Sequence, residues 1–147
     1  MRNKTEKVIE SAYIAVSARF EECLNAQGTT PNVWRVIETL NDSPGVTLKE
    51  LSRQTGIKIP ALSKLVDRMV RDALVHRKQS SVDRRSIQLF ISDHGKETLH
   101  KCLPQVRAIR ASLAEVLDPY THSVLQRLAQ INQESATVAT SSQERMH

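Results

Sequence analysis

Apolar positions along the chain change their period twice, which divides it into helices, a hairpin and helices again. From about Lys4 to Ala26, Ile9, Tyr13, Val16, Phe20 and Cys23 recur at spacings of four and three, a narrow heptad-type seam on one helix. Gly28, Thr29, Thr30 and Pro31 close it. A second helix is predicted from about Pro31 to Asn41, with proline placed early, where its missing N–H costs nothing. Val33, Val36, Ile37 and Leu40 line one side of it, with Trp34 nearby. The run Asn41 to Gly45 is turn chemistry. Thr47 then reads as an N-cap, with Glu50 three residues on as its capping-box partner. That short helix turns Leu48 and Leu51 inward and ends at Gly56. The helix after it has Pro60 in its first turn and Leu62, Leu65, Val66 and Met69 on one face. Helix, glycine-containing turn, helix within about 25 residues is the pattern of a helix-turn-helix.

The period then drops to two. Leu74–Lys78 and Ser86–Ile91 read as short strands, the second alternating Ile87, Leu89 and Ile91 against Ser86, Gln88 and Phe90. Between them Gln79 to Arg85 is polar and basic, so the hairpin is a wing with a cationic tip. Ser92 caps the first of two closing helices, where Leu99, Cys102, Val106, Ile109, Leu113 and Val116 form a second seam. Pro104 lies inside that helix and is expected to kink it or free a carbonyl. Asp118-Pro119 opens the last helix, with Val124, Leu125, Leu128 and Ile131 on its face. The predicted fold class is therefore mainly α, an α+β winged helix flanked by terminal helices. One domain spans residues 1–147, with a winged helix-turn-helix at 30–92. Helical flanks at 4–27 and 92–135 are expected to dimerise, and 136–147 to form a flexible polar tail.

Composition narrows the function. Hydrophobic residues make up 39% of the 147 and aromatics 3%, so the core must come from aliphatic side chains in packed helices. Formal charge is +5, and its distribution matters more than its size. Between Lys49 and Arg85 ten basic residues stand against four acidic ones (Glu50, Asp67, Asp72 and Asp83), and the remainder of the chain is near neutral. A polyanion-binding module within a neutral scaffold has this distribution. Cys23 and Cys102 make no disulfide framework or zinc pattern, and the five histidines show no helical metal-ligand spacing. No metal, cofactor or enzymatic activity is expected: nucleophile–base pair, phosphate-cradling glycine loop and metal cluster are all missing. The charged N-terminus lacks a signal-peptide core and no apolar run is long enough to span a membrane, so a soluble, cytoplasmic protein without membrane partners is expected.

From about Thr29 to Leu99 the chain resembles the MarR family (multiple antibiotic resistance regulators) of bacterial transcription factors. The resemblance rests on Leu-x-x-Leu-Ser-x-x-x-Gly-Ile leading into LSKLVDRM, on the DRR of the wing, and on SDHGKETL at the exit to the next helix. It implies a homodimer built from the first and last helices, one winged helix-turn-helix per subunit, and a repressor of genes. It further implies release from a pseudo-palindromic operator in double-stranded DNA when a small-molecule effector or oxidant arrives.

In a helix-turn-helix the start of the second helix meets base edges in the major groove. Here those residues are Lys58, Ile59, Pro60, Ala61, Ser63 and Lys64. Ser63 and Lys64 offer hydrogen bonds, and Ala61 can touch a thymine methyl. Ile59-Pro60-Ala61 replaces the small polar residues usual in the family, which shifts readout toward apolar contact and DNA shape. The resemblance places Arg85 in the minor groove, with Asp83 holding it through an ion pair. Arg84, Arg77, Lys78 and Arg68 are expected phosphate contacts, although Arg68 has Asp72 four residues on as a rival partner. Tyr13, Arg19, Phe20 and Trp34 are the candidate effector liners. Cys23 and Cys102 raise a redox alternative, against which stands the tendency of such cysteines to be buried and inert. A second alternative is a winged-helix adaptor whose basic face meets an acidic protein.

Overall fold

The computed structural model describes residues 4–143. The chain divides into two compact units, Met1–Arg107 and Ala108–His147. In order the elements are α1 (Thr5–Ala26), α2 (Pro31–Asp42), α3 (Leu48–Thr55), α4 (Ile59–Arg71), β1 (Val75–Gln79), β2 (Ile87–Ile91), α5 (Asp93–Val116) and α6 (Pro119–Gln143). The fold is mainly helical with one two-stranded antiparallel sheet, as the change of period predicts. Of the polar tail expected at 136–147, α6 takes in residues as far as Gln143, and 144–147 lie outside the described residues.

Caps fix the helix starts. Thr30 Oγ1 accepts from the Val33 N–H at 3.3 Å, and Thr47 Oγ1 from the Glu50 N–H at 3.3 Å. The reciprocal half of the Thr47–Glu50 capping box is not made. The Glu50 carboxylate instead accepts from Arg53 Nε at 3.0 Å and Gln54 Nε2 at 2.8 Å. Those bonds, Arg53 first, hold its pKa down at about 2. The nearby guanidinium gives the carboxylate a charged partner that the Thr47 N–H cannot match.

Within the first unit one aliphatic core runs through every element. It joins Leu24 of α1, Trp34, Ile37 and Leu40 of α2, Leu51 of α3, the four predicted α4 positions, Val75, Leu89 and Ile91 of the hairpin, and Leu99, Cys102 and Val106 of α5. The α1 seam is a correction. Ile9 and Tyr13 are exposed, Val16, Phe20 and Cys23 half-buried, and the one fully buried α1 side chain is Leu24, just off the seam. The α5 seam is buried through Ile109 and then opens, with Leu113 half-buried and Val116 81% exposed. α5 continues through Pro104 without ending there.

The hairpin pairs Val75 with Ile91, Arg77 with Leu89 and Gln79 with Ile87, one residue later at β1 than the predicted boundaries. A third short stretch adds to it: Gly45 N–H donates to Leu89 O and Leu89 N–H to Val46 O, both at 2.9 Å. This stitches the segment before α3 to β2. Gly45 has φ +84°, and a Cβ there would stand 3.3 Å from the Phe90 ring.

At the hairpin's base, Ala73 turns the chain with φ +58°. The Ser92 hydroxyl donates to Ala73 O and accepts from the Gly95 N–H at 2.9 Å, so one side chain caps α5 and ties it to the turn leaving α4. Gly95 makes this approach possible, since a Cβ would lie 2.3 Å from Leu74 O and 2.7 Å from Ile91 Cγ1. Gly95→Ala is therefore expected to destabilise the protein by about 2 kcal/mol, within the range for overpacking a tight site. Denaturant unfolding measures this; a midpoint equal to wild type would show that α5 does not need so close a seat.

Candidate nucleic-acid interface

The link between α3 and α4 is shaped by side chains as much as by glycine. Ser52 Oγ donates to Ile57 O at 2.6 Å, Thr55 Oγ1 donates to Leu51 O at 2.7 Å, and the Ile57 N–H donates to Thr55 Oγ1 at 3.3 Å. Gly56 takes the left-handed conformation that ends α3, with φ +73°. Ile57 is buried, which anchors the turn, and Lys58 becomes the extended N-cap of α4. This explains the Leu-Ser-x-x-x-Gly-Ile run in physical terms: Ser52 and Thr55 satisfy backbone groups that the turn leaves over.

With Leu62, Leu65, Val66 and Met69 committed to the core, the predicted reading residues come out on the surface. Lys58, Ile59, Pro60, Ala61, Lys64 and Arg68 are exposed and Ser63 is half-buried. They fall on two flanks of α4. Ala61, Lys64 and Arg68 line a crevice of about 470 Å³ with Thr30 and Asn32 at the start of α2. Ser63 lines another, of about 510 Å³, shared with Thr47 and Lys49 of the α3 region and with Arg77, Asp83, Arg85 and Ser86 of the hairpin. The tip of the wing and the α4 surface thus border one concavity.

The hairpin's alternation sorts its cations. Arg77 is in phase with Val75 and Leu89, the side turned to α4, and it forms an ion pair with Asp67 of that helix. Arg77 is thus not the free phosphate contact expected of it, because its strand register points it at a carboxylate. Lys78 lies on the opposite phase with His76, whose ring stacks on Phe90 at 5.4 Å and 13°. Arg68 forms no ion pair with Asp72. Arg84 and Arg85 are exposed.

The expected Asp83–Arg85 side-chain ion pair is not formed. Asp83 Oδ1 accepts instead from the Arg85 backbone N–H at 3.0 Å. Two residues apart in a turn, the carboxylate reaches the amide more readily than the outward-pointing guanidinium. Asp83 shapes the turn from which Arg85 projects and leaves that guanidinium without a carboxylate partner.

The candidate effector liners do not converge. Tyr13 and Arg19 are exposed, Phe20 is half-buried against the core, and Trp34 is buried with its Nε1 unpartnered, as is Thr29 Oγ1. None of the four lines the two crevices just described. Cys102 is buried, and burial first, then Cys23, pushes its thiol pKa up, against a smaller opposing effect of Lys101. A protonated thiol is a poor nucleophile, which weighs against the redox alternative at that residue. Cys23 is half-buried. Among the described residues no group of three or more His, Cys, Asp or Glu is arranged to hold a metal, and no helix is long and apolar enough to cross a membrane.

Sequence reasoning missed Asp67 as a partner and Thr30, Asn32, Thr47 and Lys49 as crevice residues. The one available signal was the phase of Arg77 in its strand.

A family model described as the MarR family matches residues 27–86, the segment that supplies most of the crevice residues. Over that segment the chain is similar to the MarR family. It is 24% identical over 130 residues to the homoprotocatechuate degradative operon repressor of Escherichia coli, covering 88% of this chain and 86% of that one. Among solved structures it resembles the transcriptional repressor CouR bound to a 23-mer DNA duplex, with TM-score 0.72, 28% identity, and coverage of 85% and 89%. It also resembles AbsC, a MarR-family regulator from Streptomyces coelicolor, with TM-score 0.74, 24% identity, and coverage of 93% and 97%.

The Arg77–Asp67 pair joins the wing to α4 across a half-exposed surface, where such a pair contributes about 1 kcal/mol or less to stability. Asp67→Asn is therefore expected to leave the unfolding midpoint nearly unchanged but to speed hydrogen exchange of the hairpin amides. Exchange as slow as in wild type would mean the hairpin is held by its apolar base alone.

Proposed function

We propose that the chain is a sequence-specific, DNA-binding transcriptional repressor acting as a cytoplasmic homodimer, with 30–92 as its DNA-binding region. One observation carries this reading. Ser63 on α4 and Asp83 and Arg85 at the wing tip line the same crevice, so a duplex lying against α4 in its major groove meets the wing as well. The names of the relatives support it, since both the E. coli protein and CouR are repressors and CouR is bound to duplex DNA.

Roles follow from exposure and partners. Lys58, Ile59, Pro60, Ala61, Ser63 and Lys64 meet base edges, with Ala61 and Lys64 toward the α2 side. Arg68, Lys78 and Arg84 bind phosphates. Arg85 enters the minor groove, where its planar charge follows the enhanced negative potential of a narrow groove. Asp83 sets the turn and Arg77 seats the wing through Asp67.

The second copy is called for by apolar surface. On α1, Val8, Ile9, Tyr13 and Ile14 are 42–63% exposed, and on α6, Tyr120, Leu125, Leu128 and Ile131 are 40–78% exposed. Helical surfaces at 4–27 and 92–135 that meet in a dimer would cover them. Release by a small molecule completes the proposal. Trp34, with its unpartnered buried Nε1, and Phe20 are the strongest of the four candidate liners, because Tyr13 and Arg19 lie open.

The reading is tested with a duplex recovered from a random pool by the wild-type protein. Affinity should fall steeply as salt rises, and Arg85→Ala should weaken binding by about 1–3 kcal/mol at matched salt. Affinity unchanged in that variant would remove the wing from the interface, and failure to select any duplex would favour the acidic-partner adaptor. Light scattering at micromolar concentration should give twice the monomer mass; a monomer would end the dimer proposal.

A further inference from the structure

Val82 is 95% exposed, more than any other large apolar side chain among the described residues. Single exposed apolar residues are common and by themselves mean nothing. Its setting is what distinguishes it. Val82 stands at the end of the hairpin in a turn tied from within by its own groups. Ser80 Oγ accepts from the Val82 N–H at 3.2 Å and the Asp83 N–H at 3.3 Å. Ser86 N–H donates to Asp83 O at 3.0 Å, Ser80 N–H to Ser86 O at 2.9 Å, and Gln79 Nε2 to Arg84 O at 2.6 Å. A turn bonded this way holds Val82 outward with no partner in its own chain, three residues from the guanidinium of Arg85. Wherever the tip goes, Val82 arrives with it.

We infer that Val82 is a specificity-determining residue that selects A·T over G·C pairs in the minor groove beneath the wing. The inference rests on the DNA-binding reading above. Arg85 responds to the depth of the negative potential, which depends on groove width. Val82 adds a different discrimination. The minor groove at A·T shows only acceptors, whereas G·C adds the guanine N2 amine, a donor that projects into the groove. Two methyl groups pack against sugar walls but accept no hydrogen bond. A guanine amine under Val82 loses its water and gains nothing, and a donor stranded in that way is penalised.

Inosine separates this effect from base reading elsewhere, because I·C keeps the major-groove pattern of G·C but lacks the N2 amine. The probe is the duplex recovered from the random pool, with the wing contact located by hydroxyl-radical footprinting and its A·T pairs replaced there by G·C or I·C. Wild type should bind the I·C duplex about as well as the A·T one and the G·C duplex roughly five- to a hundredfold more weakly. Val82→Ala should bind the A·T duplex about tenfold more weakly and show a G·C penalty at least threefold smaller. Val82→Thr keeps the shape and adds an acceptor for the amine, so it should narrow the G·C penalty while losing little affinity for A·T.

A G·C penalty unchanged in both variants would overturn the inference and assign the discrimination to groove width and Arg85. So would a footprint without minor-groove protection beneath the wing. Both outcomes leave the regulator reading standing, because a selected duplex is still bound. If no duplex is recovered at all, it is the DNA-binding reading that fails, and this inference with it. The side chain is almost wholly exposed, so neither substitution threatens folding.

Discussion

The structure depends on the commitment of one face of α4 to the core. Burying an aliphatic side chain contributes about 1.5–3 kcal/mol, and α4 buries four of them in the core it shares with the other elements of the first unit. Among the described residues no surface ion pair approaches that sum. With those four positions fixed, the orientation of every other α4 residue is set by helical geometry: Ala61, Lys64 and Arg68 on one flank, Ser63 and Asp67 on the other. The helix cannot roll to offer a different face without exposing Leu62 or Met69. The exposed face of α4 is thus held in place by its buried residues.

Charge is arranged within that frame. The acidic residues of the basic block do not simply dilute it. Glu50 is taken up by Arg53 and Gln54 on α3, Asp67 by Arg77 across from β1, and Asp83 by the Arg85 amide. Each of these three carboxylates thus fixes a piece of local geometry. Among the described residues no ion pair is formed by Lys58, Lys64, Arg68, Lys78, Arg84 or Arg85, so these cations keep their charge toward solvent. Counting charge along the sequence finds the basic block but cannot say which cations are already spoken for, because that depends on strand phase and turn geometry.

The legible and illegible parts of the fold divide along the same line. Helix existence, the α4 core face, the hairpin and the Thr47 and Asp118 caps follow from periodicity and short-range chemistry. Asp118 does accept from the Thr121 N–H at 2.6 Å, the bond an N-cap makes. What escaped depends on contacts between distant residues. Leu24 is buried in the core that the elements of the first unit share, although it lies off the α1 seam. Gly95 reads as an ordinary helix glycine until the Leu74 carbonyl is found 2.3 Å from where its Cβ would stand. The Arg77–Asp67 pair joins residues ten apart through a register that only the folded hairpin defines. The Asp83–Arg85 ion pair failed for a local reason: a carboxylate two residues before an amide in a turn closes on the backbone first.

The terminal helices show why a seam in a sequence does not name its partner. Both heptad-type patterns are real, yet burial follows them only in part. On α5 the seam is buried from Leu99 through Ile109 and open at Val116, while on α1 it is open at Ile9 and Tyr13 and only half-closed from Val16 on. A periodic apolar row states that something will cover it, because exposed rows of that size are costly in water. Whether the cover comes from the same chain or a second copy depends on where the chain has already spent its other apolar faces. Here the elements of the first unit share a single core, and the row on the N-terminal half of α1 takes no part in it. Val8, Ile9, Tyr13 and Ile14 are 42–63% exposed, and in the proposed dimer a two-fold partner presenting the same row in return would cover them and set two reading helices about one turn of DNA apart.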